Sequence, residues 1–105
     1  MDFEITDKNF ERVVLNNTQP VLLDFFALWC GPCMMMMPII EDIADSDVGV
    51  YVCRADIDDL PEICEKYEVR SVPTLILFNE GKPMARMTGY HTEEEIFSFL
   101  HTYGF

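Results

Sequence analysis

The sequence predicts an α/β protein of one domain, residues 1–105, in which a central mixed sheet of five strands is flanked by four helices. Segments patterned as strands alternate along the chain with segments whose apolar residues recur at helical spacing. Two strand segments, 21–26 and 74–78, are apolar almost throughout, which is typical of strands covered on both faces. A pair of cysteines, Cys30 and Cys33, separates the first of these strands from a long helix. The predicted order of elements is βαβαβαββα.

The first half of the chain supplies three strands and two helices. Residues 2–6 are predicted to form a short edge strand, and the apolar residues of segment 10–14 recur at i, i+3 and i+4, as on the inner face of a helix. Segment 21–26 is the first buried strand. The helix after it keeps apolar residues at helical spacing as far as Ala44, and residues 50–55 form the third strand.

The second half supplies a short helix, a hairpin and a final helix. Proline suits the first turn of a helix, which is predicted over 61–67. Strands over 74–78 and 83–88 are joined by a turn that contains glycine, as in a β-hairpin. Thr92 and Glu95 have the spacing of a capping box, in which each side chain bonds the backbone N–H of the other residue, and they predict the start of the last helix.

The composition bounds the possible partners. The chain carries 19 acidic and 7 basic residues and a formal net charge of −12, which argues against binding to nucleic acid or to anionic membrane surfaces. It has no apolar stretch of the roughly 18 residues that a membrane span needs, and its first residues lack the basic and apolar regions of a signal peptide. We therefore expect a cytoplasmic protein, provided that Met1 is its native start. We also expect a monomer.

The four cysteines could have structural or chemical roles. A disulfide framework is expected in secreted chains and not in a reducing cytoplasm. A zinc site needs four ligands, usually in two close pairs, but only Cys30 and Cys33 are close in sequence, so no metal is expected. Cys53 and Cys64 fall on a strand and on a helix, where free cysteine acts as a small apolar residue. A second redox pair remains the alternative for these two.

The spacing of Cys30 and Cys33 is that of a redox-active dithiol. Because a strand precedes the pair and a helix follows it, Cys30 is expected at the helix N-terminus. Free backbone N–H groups and the positive end of the helix dipole stabilise a thiolate there. Pro32 has a fixed φ and suits the first helical turn. We therefore expect Cys30 to be the nucleophile and Cys33 the resolving thiol.

Three motifs carry a resemblance to the thioredoxin family, namely Trp29–Cys33, the preceding Asp24–Phe25, and Val72–Thr74 further along the chain. The resemblance extends over nearly the whole sequence. It implies the thioredoxin fold, with sheet order 1-3-2-4-5 and the last two strands antiparallel to the rest. It also implies a protein-disulfide reductase that needs no bound cofactor. Its partners would be disulfide-containing client proteins and a thioredoxin reductase, usually a flavoprotein fed by NADPH.

The resemblance further implies roles for individual residues around the dithiol. Val72–Pro73 matches a cis-proline of the family, beside which an extended substrate peptide can pair. By the same resemblance, the flat surface that docks substrates around Cys30 comprises Trp29, Gly31, Pro32, Val72, Pro73, Gly89 and Tyr90.

Two charged residues are candidates for tuning the dithiol. Asp24 interrupts an otherwise apolar strand, and an isolated buried carboxylate should have a raised pKa. Because perturbed acids cluster at active sites, we expect Asp24 to relay a proton to Cys33, a role that the resemblance also implies; the alternative is a buried carboxylate satisfied by hydrogen bonds. Arg54 stands where the family usually has lysine. It either reaches Asp24 and holds the carboxylate ionised, or is a solvated surface residue.

The run Met34–Met37 departs from the family, in which lysine or arginine commonly follows the second cysteine. Four consecutive helical residues spread over about 300° of the helix, so at least one must be exposed, and we expect this to be Met34. An exposed methionine there would enlarge an adaptable apolar docking patch beside the dithiol and would replace a cation that favours the thiolate. The alternative for the run is core filling without a functional role. Two alternatives to a reductase also stay open. One is an oxidant or isomerase, although Gly31–Pro32 resembles the reductants, and the other is a binding module with an idle dithiol.

Overall fold

The computed structural model describes residues 3–105. Four strands form its sheet: β1 (Val21–Phe26), β2 (Tyr51–Asp56), β3 (Thr74–Asn79) and β4 (Lys82–Thr88). Their order across the sheet is β2-β1-β3-β4. β1 pairs in parallel with β2, and β3 pairs antiparallel with both β1 and β4. β1 is therefore a central strand with a partner on each side.

Helices cover both faces of this sheet. Within residues 3–105 they are a π-helix (Glu11–Leu15), α1 (Gly31–Asp45), α2 (Pro61–Lys66) and α3 (Glu93–Thr102), with a 3₁₀ turn before α2. Each of the four predicted helices is thus matched, although the first is a short π-helix. None of the helices in this part of the chain is long and apolar enough to span a membrane.

The prediction of five strands is wrong, because segment 2–6 does not form a strand within the described residues; its first residue lies outside them. Glu4 makes one isolated parallel bridge to Arg54 of β2. The Ile5 N–H donates to the Arg54 carbonyl over 2.8 Å. The chain then turns at Thr6, whose carbonyl accepts a hydrogen bond of 3.0 Å from the N–H four residues later. This turn ends the pairing after a single bridge.

The implied strand order is confirmed for the four strands that form. The implied directions are wrong for the last strand. β3 runs opposite to β1, but β4 runs opposite to β3 and therefore in the direction of β1. The physical reason is the hairpin between β3 and β4, which reverses the chain a second time, so only β3 opposes the other strands.

The sheet separates two apolar cores. Leu23 and Phe25 of β1 belong to the core that the π-helix and α2 cover. Leu22 belongs to the opposite core, which α1 and α3 cover. Because successive side chains of a strand lie on opposite faces, burial of all six residues of β1 requires cover on both sides. This confirms the prediction made from its continuous apolar run.

The start of α3 is fixed by the predicted capping box. Thr92 Oγ1 accepts the Glu95 N–H over 3.2 Å, and Glu95 Oε1 accepts the Thr92 N–H over 2.9 Å. Two N–H groups that have no partner within a helix are satisfied in this way. The hydrogen bonds from Thr92 also lower the pKa of Glu95.

Candidate redox site

The two cysteines lie at the start of α1, as the sequence predicts. Cys30 is the N-cap residue with an extended backbone, and α1 begins at Gly31. The Cys33 N–H belongs to the first turn, where it has no partner within the helix, and it donates to Cys30 Sγ over 3.2 Å. The two side chains are joined as a disulfide, with 5.2 Å between their Cα atoms. The structure therefore shows the oxidised form of the pair.

The two cysteines differ in access to solvent. Cys30 is 6% exposed and Cys33 is 1% exposed, so Cys30 is the one that a partner can reach. Around them lies an apolar cluster that includes Phe26 and Ala27. Among the described residues, the first turn of α1 carries no acidic side chain. No carboxylate in that turn therefore opposes a thiolate at the helix N-terminus.

The loop before β3 brings a second segment to the dithiol. The Val72 carbonyl oxygen lies 3.8 Å from Cys30 Sγ, and the Val72–Pro73 peptide bond is cis, which confirms the expectation from the resemblance. The Pro73 carbonyl accepts the Gly89 N–H over 2.8 Å. Gly89 is therefore hydrogen-bonded to the Val72–Pro73 segment, whose Val72 carbonyl lies beside Cys30.

The other residues of the predicted docking surface are exposed. Gly31 and Pro32 project from the start of α1. Trp29 is 69% exposed, and Tyr90, next to Gly89, is 44% exposed. Two large aromatic side chains are thus available to a partner: one directly before the dithiol and one in the segment after β4.

The sequence analysis missed two residues of this surface. The Trp29 indole N–H donates to Asp58 Oδ2 over 3.0 Å, and no local pattern connects two residues so far apart in the chain. Leu28 is 68% exposed beside Trp29. An apolar residue in a loop, outside the strand and helix periods, is the signal that indicates Leu28.

Asp24 is enclosed by the sheet and is 1% exposed. Burial raises the pKa of Asp24 from 3.8 to about 7; the positive charge of Arg54 counteracts part of this effect, and the negative charge of Glu4 adds to it. Asp24 Oδ1 has no hydrogen-bond partner among the described residues. The raised pKa agrees with the expectation from the sequence, and its main cause is the loss of water around the carboxylate.

Arg54 is buried, at 5% exposure, so the alternative of a solvated surface residue is wrong. The register of β1 and β2 places it opposite Asp24, but no ion pair joins the two among residues 3–105. Arg54 Cζ instead lies 3.6 Å from the centroid of the Phe26 ring and 6.0 Å from that of Phe3. This is a cation–π arrangement. Phe26 is a further residue that the sequence analysis did not assign to the site.

The prediction that Met34 is the exposed methionine is wrong. Met34 is half-buried and packs on the dithiol cluster, whereas Met35 is 62% exposed and Met36 is fully buried. Cys33, Met36 and Ile40, at i, i+3 and i+7, form the buried face of α1. This phase turns Met35 outward and leaves Met34 beside the cysteines.

The two other cysteines are free thiols. Cys53 is buried on β2, and burial raises its pKa. Cys64 is half-buried on α2; burial raises its pKa, and the charge of Asp58 adds to the effect. Because the thiolate is the reactive form, both are poorer nucleophiles than an ordinary exposed cysteine.

The arrangement defines the chemical class. A pair of cysteines that closes into a disulfide at a helix N-terminus can pass between dithiol and disulfide, because the helix stabilises the thiolate form. The protein is a thiol-disulfide oxidoreductase.

Comparison with known proteins identifies the family. The thioredoxin family model matches residues 2–102, so the chain belongs to the thioredoxin family. It is 42% identical to a thioredoxin of Rickettsia bellii over 96% of this chain and 97% of that protein. It is 43% identical to a thioredoxin of Chlorobaculum thiosulfatiphilum over 83% and 82% of the two chains. A bifunctional thioredoxin reductase/thioredoxin of Mycobacterium leprae is 44% identical over 82% of this chain and 19% of its own length.

Proposed function

We propose that the protein reduces disulfide bonds of other proteins through Cys30 and Cys33. The observation that carries the proposal is the position of the Cys30 sulfur. It caps α1, accepts the Cys33 N–H over 3.2 Å, and belongs to the more exposed cysteine of the pair. A helix N-terminus stabilises a thiolate, and the thiolate is the attacking species in thiol–disulfide exchange.

The reaction proceeds in two exchange steps. In the first, the Cys30 thiolate attacks one sulfur of the substrate disulfide; a bond forms to Cys30 Sγ, and the other substrate sulfur leaves as a thiolate. In the second, Cys33 loses its proton and attacks Cys30 Sγ, so the mixed disulfide breaks and the second substrate thiolate leaves. Two electrons pass from the dithiol to the substrate. The product on the protein is the Cys30–Cys33 disulfide.

The second step needs a proton acceptor, because Cys33 is shielded from bulk water. Asp24 takes this proton through a water molecule in our proposal. Its pKa of about 7 suits a group that must both accept and return a proton near neutral pH. Asp24 is two residues from Leu22 on β1 and therefore shares its face of the sheet. Leu22 packs in the core under α1, so the Asp24 side chain is on the face that carries the dithiol helix. Arg54 is the residue proposed to tune its charge.

The substrate docks on the exposed surface around Cys30 in this proposal. Val72 supplies a backbone edge 3.8 Å from the sulfur, to which an extended peptide can pair. Trp29 and Tyr90 supply aromatic faces with polar tips, which favour contacts with partner proteins. The proposed docking residues are Trp29, Gly31, Pro32, Val72, Pro73, Gly89 and Tyr90.

A thioredoxin reductase is the proposed source of the electrons that restore the dithiol. The relative in Mycobacterium leprae that bears both the reductase and the thioredoxin name supports this pairing. A cytoplasmic, monomeric protein is also part of the proposal. The free thiols of Cys53 and Cys64 suit a reducing compartment, where unpaired cysteines persist.

Trapping a mixed disulfide tests the two cysteine roles. Reduced Cys33→Ser and Cys30→Ser proteins are each mixed with insulin, and disulfide-linked species are identified by mass after alkylation. Cys33→Ser should accumulate an adduct through Cys30, because no thiol resolves it, and Cys30→Ser should not. Cys64→Ser is the matched control and should retain full insulin reduction. An adduct that accumulates only in Cys30→Ser would reverse the assignment.

Two further outcomes separate the alternatives. If the Cys30→Ser/Cys33→Ser double variant keeps the activity of the protein, the chain is a binding module and the dithiol is idle. The equilibrium reduction potential of the pair, measured against glutathione, separates a reductant from an oxidant or isomerase. A potential at or below the cytosolic glutathione poise of about −220 to −260 mV supports the reductase, and a value well above it supports the other two.

A further inference from the structure

The guanidinium of Arg54 rests on an aromatic ring although a carboxylate lies opposite it in the sheet. Asp24 and Arg54 are partners in the β1–β2 register, and both are buried. Asp24 Oδ1 and the Nε and Nη2 atoms of Arg54 are buried without a hydrogen-bond partner among the described residues. Buried charges are ordinarily paired. The 3.6 Å approach of Arg54 Cζ to the Phe26 ring centroid identifies the contact that competes with such a pair.

We propose that Phe26 is a positioning residue, whose ring holds the Arg54 guanidinium out of an ion pair with Asp24 and so leaves Asp24 able to exchange a proton. The inference rests on the proposed role of Asp24 in the exchange reaction. It assigns a function to the ring of Phe26 beyond filling the core.

Strand geometry explains why these three side chains meet. Asp24 and Phe26 are two residues apart on β1 and therefore share one face of the sheet. Arg54 lies directly across from Asp24 and diagonally across from Phe26, within reach of a long side chain. Its guanidinium can therefore lie either against the carboxylate or over the ring. In the structure it lies over the ring.

The chemistry of arginine favours the ring. The guanidinium is planar, weakly hydrated and always charged, so it stacks on an aromatic face more readily than a lysine ammonium does. Cation–π attraction is strongest where water is excluded, and Phe26 is 3% exposed. If the guanidinium instead moved within about 4–6 Å of Asp24, it would lower the pKa of that carboxyl by about 1–3. Asp24 would then stay ionised at neutral pH.

Other groups near Asp24 cannot produce the same effect. β3 places Leu75 opposite Asp24, and α3 contributes apolar residues to the core on this face. The charges that act on the Asp24 carboxyl are those of Arg54 on β2 and of Glu4 in the bridging segment. Asp24 in turn acts on the Cys53 thiol of β2, and the Cys30–Cys33 disulfide at the start of α1 does not titrate. Among these described groups Arg54 is the one cation, so its position determines how far the carboxylate is stabilised.

The test is a titration of the Asp24 carboxyl carbon by ¹³C NMR in the oxidised protein. In Phe26→Leu, which removes the ring but keeps an apolar side chain, the Asp24 midpoint should fall from about 7 to about 6 or lower. Phe26→Trp, which restores an aromatic face, should keep the midpoint of the parent protein. In the Arg54→Gln background, Phe26→Leu should leave the midpoint unchanged, because no cation is released.

An unchanged midpoint in Phe26→Leu would overturn the proposal, as would an equal fall in the Arg54→Gln background, which would mean that the ring acts through packing alone. A second measurement needs no variant. The Arg54 Nε proton should resonate upfield of that of the exposed Arg70, because it lies within the ring current of Phe26; equal positions would also overturn the proposal. Both readouts are taken without substrate, so a failed insulin assay would overturn the proposed function and leave these results to decide the positioning role.

Discussion

Replacing Asp24 by asparagine should stabilise the protein, and the gain should grow with pH. The folded-state pKa of Asp24 is about 7, against an ordinary value of 3.8. Because the folded carboxyl binds its proton more tightly than the unfolded one, its contribution to stability is fully present below the unfolded pKa and is lost as pH rises through the folded pKa. The loss amounts to roughly 4 kcal/mol above the folded pKa. Asparagine has a similar shape and no charge to bury, so Asp24→Asn avoids this cost.

Urea unfolding of the oxidised protein measures the effect. The difference in free energy of unfolding between Asp24→Asn and the parent should rise from near zero at about pH 4 to roughly 4 kcal/mol at about pH 8. Taking the difference removes the titrations that both proteins share. Asp42→Asn, an exposed carboxylate of α1, is the matched control and should show a small difference at every pH. A difference for Asp24→Asn that does not vary with pH would refute the argument from burial.

Two further predictions concern the docking surface and the fold. Asp58→Ala removes the acceptor of the Trp29 indole and should raise KM for a disulfide substrate about two- to tenfold at unchanged kcat, with altered tryptophan fluorescence. Asp59→Ala is its control, and an equal effect there would contradict the prediction. Gly81→Ala places a Cβ 2.8 Å from a π-helix carbonyl oxygen at φ +78°, whereas Gly49→Ala, at φ +74°, meets nothing within 4 Å. The free energy of unfolding of Gly81→Ala, measured in urea, should therefore be lower than that of Gly49→Ala by about 1 kcal/mol or more. Equal free energies of unfolding for the two variants would show that the overlap relaxes without cost.

The elements that sequence patterns predict well are those whose signal is local. The apolar run 21–26 indicated a buried strand, and β1 has those bounds. The short spacing of Cys30 and Cys33 before a helical pattern placed both cysteines at a helix start, because residues so close in the chain must also lie close in space. The Thr92–Glu95 box marked the start of α3 for the same reason. In each case the interacting groups lie within a few residues of one another.

The predictions that failed depend on phase or on distant partners. The sequence analysis recognised the helical spacing of α1 without assigning a phase to the methionines, whereas the phase set by Cys33 places Met36 inside and Met35 outside. The edge strand failed because β-pairing depends on how long the chain stays beside β2, and the turn at Thr6 ends that contact after one bridge. The stack of Arg54 on Phe26 joins different strands, and no periodicity in either strand reports it.

The alternation of side chains along β1 ties the core to the candidate site. Leu23 and Phe25 face the core under α2, while Leu22, Asp24 and Phe26 face the side that carries α1. One strand therefore supplies the buried acid and the ring over Arg54, and its end leads directly to Cys30. A carboxyl here costs roughly 4 kcal/mol when it ionises, whereas an apolar residue would incur no such cost. This cost is understandable if the Asp24 carboxyl exchanges protons with the dithiol. A guanidinium paired with Asp24 would reduce the cost of ionising the carboxyl, but it would also reduce the capacity of the carboxyl to exchange protons.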